Sequence, residues 1–326
     1  MADILNAHAQ NFGDRPAVID DRPDGNVLTI TYAELDNYTN QLGHLLVGHG
    51  VKPGDRVVWC GQNSIGVAAV MSAARKIGAT AVPLNYRLSD DEAAYVIDHC
   101  DAEIVYVDAD FAPMLERVRE SIPKIREVLV FDGELPTTDS WFVSVDGELM
   151  SMPTSSPPEP PAETADGATM IYTSGTTGKP KGAFRQRATD PTQMLAMLEH
   201  IGYEIDDTYL TTGPLYHSGP AGFMSIAVSM GQTVVVQRKF NAEDWLRLVD
   251  KYRCSSTFSA PTPIRMICNL PDETIANYDV SSMRVMIANA APWSFALKQQ
   301  YLSHFPAHSL FEVYGSTELG VNTILP

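Results

Sequence analysis

Apolar and polar positions along the chain alternate between two rhythms. Residues 29–50, "TITYAELDNYTNQLGHLLVGHG", place Leu35, Leu42, Leu45 and Leu46 at helical spacing. Thr31 and Glu34 suit a capping box at the start of that helix, and Gly48 and Gly50 end it. "DRVVWC" (55–60) reads as a short buried strand, and "SIGVAAVMSAARKIGA" (64–79) as a deeply buried helix, apolar nearly all round. "TAVPLNYRL" (80–88) is extended, Ser89 and Glu92 predict another capped helix, and "AEIVYVDA" (102–109) and "EVLVFD" (127–132) are strand-like. Later strands are "ATMIYT" (168–173), "GAFRQR" (182–187), "TVVVQR" (233–238), "SSTFSA" (255–260), "RVMIAN" (284–289) and "LFEVYG" (310–315). Asn241 caps a helix over "AEDWLRLVDKYR", and another begins near Pro263. Strands alternating with helices predict an α/β chain with a mainly parallel sheet.

One stretch breaks the rhythm. "PTSSPPEPPAET" (153–164) cannot join a regular element, because its prolines lack N–H donors and fix φ. It is expected to be a surface linker between a first α/β subdomain (1–152) and a second (165–326). The halves share a strand–helix rhythm without any repeat in the residues themselves. Composition adds little to this picture and excludes some alternatives. A 326-residue chain suits one large or two ordinary domains, and 44% apolar with 19% charged residues is globular. A formal charge of −17 argues against a nucleic-acid surface. The N-terminus is too polar for a secretory signal, and no apolar run nears the roughly 20 residues of a transmembrane segment. Cys60, Cys100, Cys254 and Cys268 lack metal spacing, so reduced, buried thiols in a cytoplasmic protein are expected.

Candidate chemistry concentrates in "YTSGTTGKPKG" (172–182). Gly175, Gly178 and Gly182 allow backbone N–H groups close to an anion and permit positive φ. Thr173, Ser174, Thr176 and Thr177 add short donors, and Lys181 adds a full positive charge. Polyphosphate suits that combination, since several donors share its oxygens while lysine offsets its charge. The loop is not a Walker A sequence, which would need glycine and Ser/Thr where Thr173 and Pro180 stand. On these residues alone, a polar glycine-rich hairpin without a ligand stays open.

"IYTSGTTGKPKG" resembles the phosphate-binding signature of the adenylate-forming enzymes: acyl-CoA synthetases, luciferases and peptide-synthetase adenylation domains. "TYAELDNYTNQLGHLL" with "GVKPGDRV", then "GATAVPLNYRLS", "PLYHSGP", "ANAAPWS" and "VYGSTELG", follow in that family's order over most of the chain. The resemblance implies a layered αβαβα N-terminal domain of two sheet-plus-helix subdomains. It also implies ATP-dependent activation of a carboxylic acid to acyl-AMP, with transfer to CoA. By motif position, Thr173, Ser174, Gly175, Thr176, Thr177, Gly178 and Lys181 would hold the β- and γ-phosphates. Glu318 would bind Mg²⁺ with Thr173 as second ligand, and Thr317 would donate to the α-phosphate. Tyr314 would lie against adenine, with Glu312, Val313, Gly315 and Ser316 completing that segment of the nucleotide site. Ala290, Ala291 and Pro292 would form the opposite wall.

Two positions depart from the family pattern. Asn289 stands where glycine is frequent, and asparagine tolerates the left-handed backbone such a turn needs. Val313 replaces a frequent glycine beside the acyl pocket, which narrows it. His217, in "PLYHSGP", would be the gate near the carboxylate, acting with Thr317 and Glu318 in catalysis. Amino-acid-activating relatives place aspartate there; a neutral imidazole favours a fatty, aryl or other simple carboxylic acid. The apolar stretch 218–230 would open a helix along an acyl channel, or serve simply as a core helix.

The family's chain continues to a ribose-binding aspartate, the remaining barrel subdomain, a hinge and a mobile C-terminal domain with a catalytic lysine. None follows Pro326. The sequence is therefore expected to be the N-terminal portion of a longer ligase, with little or no turnover alone. A non-catalytic nucleotide- or acyl-binding remnant, or another adenylating class (luciferase-like or peptide-synthetase), are the alternatives. A serine hydrolase is set aside, because no GxSxG elbow occurs.

Overall fold

Helix and strand alternate from end to end of the computed structural model, which describes residues 3–161, 169–173, 179–185, 192–316 and 320–325. The chain opens with α1 (Ile4–Phe12), β1 (Pro16–Asp21), β2 (Val27–Thr31) and α2 (Tyr32–Gly48). There follow β3 (Arg56–Cys60), α3 (Ile65–Lys76), β4 (Thr80–Leu84), α4 (Asp90–His99), β5 (Ile104–Asp108), α5 (Ala112–Val118), β6 (Glu127–Phe131), β7 (Phe142–Ser144) and α6 (Val145–Leu149). Next come β8 (Thr169–Thr173), β9 (Lys181–Arg185), α7 (Thr192–Ile201), β10 (Thr208–Thr211), α8 (Ser218–Ser229), β11 (Thr233–Val236) and α9 (Ala242–Tyr252). The last are β12 (Ser256–Ser259), α10 (Pro261–Cys268), α11 (Asp272–Ile275), β13 (Val285–Ala288), α12 (Phe295–His304), β14 (Leu310–Ser316) and β15 (Gly320–Leu325).

Two compact units result, one from Met1–Asn11 with Ala33–Arg187, the other from Phe12–Tyr32 with Ala188–Pro326. The first holds a sheet in the order β7-β6-β5-β3-β4-β8-β9, parallel except for β9. Its central strands are buried on both faces, which is why they read as unbroken apolar runs. Ala93, Val96 and Ile97 of α4 and Leu115 of α5 cover one face. Ser89 and Glu92 form the expected capping box, and α3 buries Val67, Ala69, Val70, Ala73 and Ala74.

The expected boundary at 153–164 does not separate these units. β8 joins the first unit's sheet, Ala81 of β4 lying opposite Thr169, so the hairpin at 169–185 belongs before the division. The proline-rich stretch, described as far as residue 161, is tied down on α2. Asn40 Nδ2 donates to the Thr154 carbonyl at 2.8 Å, and His44 Nε2 lies 3.0 Å from that of Ser155. Pro157 is buried over Gly43, where an added Cβ would come within 3.1 Å of its ring. Without N–H groups the prolines cannot enter a ladder, and the carbonyls around them serve as acceptors instead.

The second unit's sheet runs β15-β14-β13-β12-β10-β11-β1-β2, parallel from β1 to β14 with an antiparallel strand at each edge. The β1–β2 hairpin had no counterpart in the sequence pattern; residues 29–31 are strand, and the helix starts at Tyr32, directly after the Thr31 expected to cap it. β1 pairs with a strand far along the chain, Val18 opposite Val234. Asp21, buried at its end, accepts from Arg247 (3.1 Å), Lys251 (2.6 Å) and Tyr252 (2.7 Å). Burial alone would raise that carboxyl, but the three donors hold it down at about 2. Asn241 caps α9 through the Asp244 N–H at 3.0 Å. The helix expected near Pro263 begins at Pro261, since extended Ala260 feeds a proline suited to the first helical position.

Both units share one doubly wound order, β4-β3-β5-β6-β7 in the first and β11-β10-β12-β13-β14 in the second. In each, the chain leaves two neighbouring strands in opposite directions: β3 and β5, and β10 and β12.

Candidate functional site

Because β10, β12, β13 and β14 are parallel, their C-terminal ends meet one edge of the second unit's sheet. From β10 the chain passes through residues 212–217 to α8; from β13 it passes into residues 289–292. β14 overruns β13: Ala288, the last residue of β13, lies opposite Glu312, so residues 313–316 project past it. Fold topology thus brings His217, Ala290, Ala291, Pro292, Glu312, Val313, Tyr314, Gly315 and Ser316 to the edge flanking the β10/β12 switch point. Open α/β sheets bind ligands at such crevices. Thr317 and Glu318 lie outside the described residues.

His217 occupies the N-cap position of α8 in extended conformation, exposed, its ring 4.5 Å from that of buried Tyr216. α8 packs as a core helix through Phe223, Met224, Ala227 and Val228. Phe223 stacks on Phe258 at 5.0 Å, and Gly219 permits the approach, since a Cβ there would lie 2.3 Å from the Phe258 ring. A Cβ on Gly222 would meet nothing within 4 Å. Register puts Phe258, Ile287 and Phe311 side by side. Alternation then places Val313, 6% exposed, on that same face and Tyr314, 73% exposed, on the other. Glu312 shares the Tyr314 face and pairs with Lys298 of α12 at 2.7 Å. Two adjacent residues therefore serve opposite faces of one strand end.

The left-handed residue at 288–292 is Ala290 (φ 77°), and Asn289, expected to supply it, has no positive φ. Asn289 Oδ1 instead accepts the Ala290 N–H. A left-handed alanine costs about 1–2 kcal/mol, so this turn is held by its side-chain bond and by the strand before it.

In the first unit, β8 and β9 pair with Thr173 opposite Lys181 and Tyr172 opposite Gly182. Ser174, Gly175, Thr176, Thr177 and Gly178 lie outside the described residues. Lys181 is exposed and Thr173 half-buried, so the strand ends offer a cation and a hydroxyl, groups that suit polyphosphate. Thr173 is the one expected Mg²⁺ ligand among the described residues, and a single hydroxyl suits an ion that keeps water and phosphate oxygens as ligands. Gly182 does not use the positive φ that glycine permits. A Cβ there would lie 2.2 Å from Met170 Cε and 3.3 Å from the Tyr172 ring. Its role is to let cross-strand side chains fold over the backbone.

Sequence reasoning missed the partners of this hairpin. Tyr95 of α4 donates its hydroxyl to the Pro180 carbonyl at 3.3 Å, with Lys179 Nζ 4.6 Å from its ring centroid. His99, one turn on, lies 2.7 Å from the Tyr172 hydroxyl through Nδ1. The available signal was an aromatic pair at i,i+4 on one face of a largely acidic helix. All four cysteines are free and buried, as expected, and burial pushes their thiols up, away from thiolate chemistry. Among the described residues no helix is long and apolar enough to cross a membrane.

The sequence pattern of the AMP-binding enzyme family matches residues 5–326. ScoC of Streptomyces coeruleorubidus, a fatty acid–[acyl-carrier-protein] ligase, is 27% identical over 98% of this chain and 59% of its own length. A crotonobetaine/carnitine–CoA ligase of Escherichia fergusonii is 30% identical over 81% of this chain and 51% of its own. The chain thus spans little more than half the length of these curated relatives. The solved fatty acyl CoA synthetase of Mycobacterium tuberculosis, 23% identical, superposes with a TM-score of 0.82 over 99% of this chain and 61% of its own. With two mainly parallel sheets and a family match along nearly its whole length, the chain belongs to the AMP-binding, adenylate-forming enzyme family.

Proposed function

We propose that this chain carries nucleotide and acyl sites of a ligase that activates a carboxylic acid with ATP and passes the acyl group to CoA. The observation that carries the reading is the gathering of His217, Ala290, Val313 and Tyr314 at one edge of a parallel sheet, beside its switch point. Tyr314 offers an exposed ring for adenine, and Ala290, Ala291 and Pro292 offer the facing wall. Val313, on the α8 face, narrows the acyl side. His217 positions the carboxylate; with no counter-charge for an ammonium at that position, a fatty acid is the first candidate.

In the reaction, a carboxylate oxygen attacks the α-phosphorus, the bond to the β-phosphate oxygen breaks, and pyrophosphate leaves. Thr173 and Lys181 hold the departing phosphates, Thr317 donates to the α-phosphate, and Glu318 with Thr173 would hold Mg²⁺. That ion would offset the charge on the leaving group. A carrier-protein thiol in place of CoA is the second reading, favoured by what ScoC is named for.

Calorimetry of the chain with Mg²⁺·ATP, AMP and a non-hydrolysable acyl-adenylate tests this, alongside a carboxylic-acid panel read by pyrophosphate release. ATP and the acyl-adenylate should bind, and Lys181→Ala should weaken ATP while sparing AMP. Binding of neither ligand would overturn the proposal.

A further inference from the structure

The two lysines of the glycine-rich hairpin stand in different surroundings. Lys181 is exposed and lies across the ladder from Thr173. Lys179 sits over the ring of Tyr95, whose hydroxyl also holds the next carbonyl, that of Pro180. On the other strand, Tyr172 folds over Gly182 and reaches His99. These contacts matter because, among the described residues, β8 has a single register pair with β4, Ala81 opposite Thr169, at the end remote from the turn. Toward the turn, side chains of α4 hold the hairpin instead: Tyr95 on one strand's approach and His99 on the other. Burial raises the Tyr172 phenol, so it remains a neutral partner for the His99 ring.

We infer that Lys179 is an anchor rather than a phosphate ligand, and that Tyr95 and His99 of α4 are positioning residues that preorganise the lysine-bearing hairpin for a polyphosphate. The ligand in this statement rests on the function proposed above; the anchor itself does not. Holding the hairpin before the ligand arrives removes an ordering cost from binding. A cation over a partly exposed ring, with one hydrogen bond beside it, makes the expected effect of losing either partner about three- to tenfold.

Two measurements on the full chain test this. Hydrogen exchange without ligand reads the anchor directly. Tyr95→Leu and Lys179→Met should each raise exchange of the amides at 170–173 and 181–185 by about three- to tenfold, while Tyr95→Phe, which keeps the ring, should recover part of the protection. Unchanged exchange in both variants, with unfolding midpoints like the wild type, would overturn the anchor. Calorimetry then reads its consequence. Each variant should weaken Mg²⁺·ATP by the same factor and spare AMP, and the double variant should lose no more than either single one. Independent, additive losses would make Lys179 a phosphate ligand and overturn the inference. If the wild type binds no ATP, the proposed function fails, and the exchange measurement still decides the anchor.

Discussion

At the β3/β5 switch point of the first unit, the ring of Phe131 fills the space beside the strand ends. It stacks on Tyr106 at 4.3 Å, and a Cβ added to Gly66 would lie 2.6 Å from it. Gly61, directly after β3, is hemmed in less tightly, by Asp108 at 3.1 Å and Val67 at 3.2 Å. At the equivalent β10/β12 point of the second unit a ring also closes on the start of the helix, Phe258 against Gly219. The capping residue differs: Ser64 before α3 is buried, whereas His217 before α8 is exposed, with exposed Gly222 further along that helix. Strand order is the same in both, so topology supplies the crevice twice, and what the residue before the helix presents to solvent distinguishes them. The phosphate-binding groups proposed for the first unit lie elsewhere, on the hairpin at its sheet edge.

Emptying the closed crevice is the strongest test of that contrast. Phe131→Ala should cost about 3–5 kcal/mol of the first unit's stability, read by urea denaturation, and should leave nucleotide affinity of the folded protein unchanged. A specific loss of ATP affinity would mean the crevice is part of the site. Wedging it further should cost less: Gly66→Ala, pressed against a ring that cannot retreat, is expected to destabilise by about 1–3 kcal/mol. A neutral result would show that Phe131 is not confined there.

The units should also differ in the sign of their pH dependence. In the first, the His49 ring lies 2.7 Å from Glu127 and 2.9 Å from Glu148. Burial alone would lower its affinity for a proton, but hydrogen bonds to Glu148 and Glu127 carry it above the ordinary 6.5. That contribution is complete below 6.5 and fades as pH rises through the raised value. In the second, Asp21 is depressed from 3.8 to about 2, so its contribution is complete above 3.8 and fades as pH falls through about 2. Hydrogen exchange resolved by unit across a pH series checks both, and His49→Gln should flatten the alkaline limb of the first unit alone. Fading on the same side in both units would refute the assignment. Smallest is Gly222→Ala, expected to stabilise the second unit by up to about 1 kcal/mol, since a helical glycine loses an entropic cost without meeting a neighbour. Opposite signs at Gly66 and Gly222 would confirm that Gly66 is wedged against Phe131 while Gly222 faces open space.

Much of this protein was legible in local spacing. Ser89 with Glu92, and Asn241, were correctly read as caps, because a cap depends on residues three apart. The apolar runs of β3 to β6 read correctly as extended or strand-like, and that of β3 as buried, because burial on both faces leaves no polar alternation to confuse them. The motif around His217 and the one around Tyr314 were visible as strings, and the structure gives them a common sheet edge.

Other features have no local signature. Nothing in residues 16–31 announces that β1 pairs with β11, or in residues 169–173 that β8 joins β4, so the chain crosses between units where the sequence suggested one linker. Gly182 resembled an anion-binding glycine but answers to Met170 and Tyr172 folding over it; left-handed Ala290 was mistaken for Asn289. Tyr95 and His99 gain meaning only through a hairpin that follows far along the chain. Caps and periodicity act over a few residues and are written in order along the chain. Pairing partners, and the space around a Cα, belong to segments that meet only when the sheets have formed.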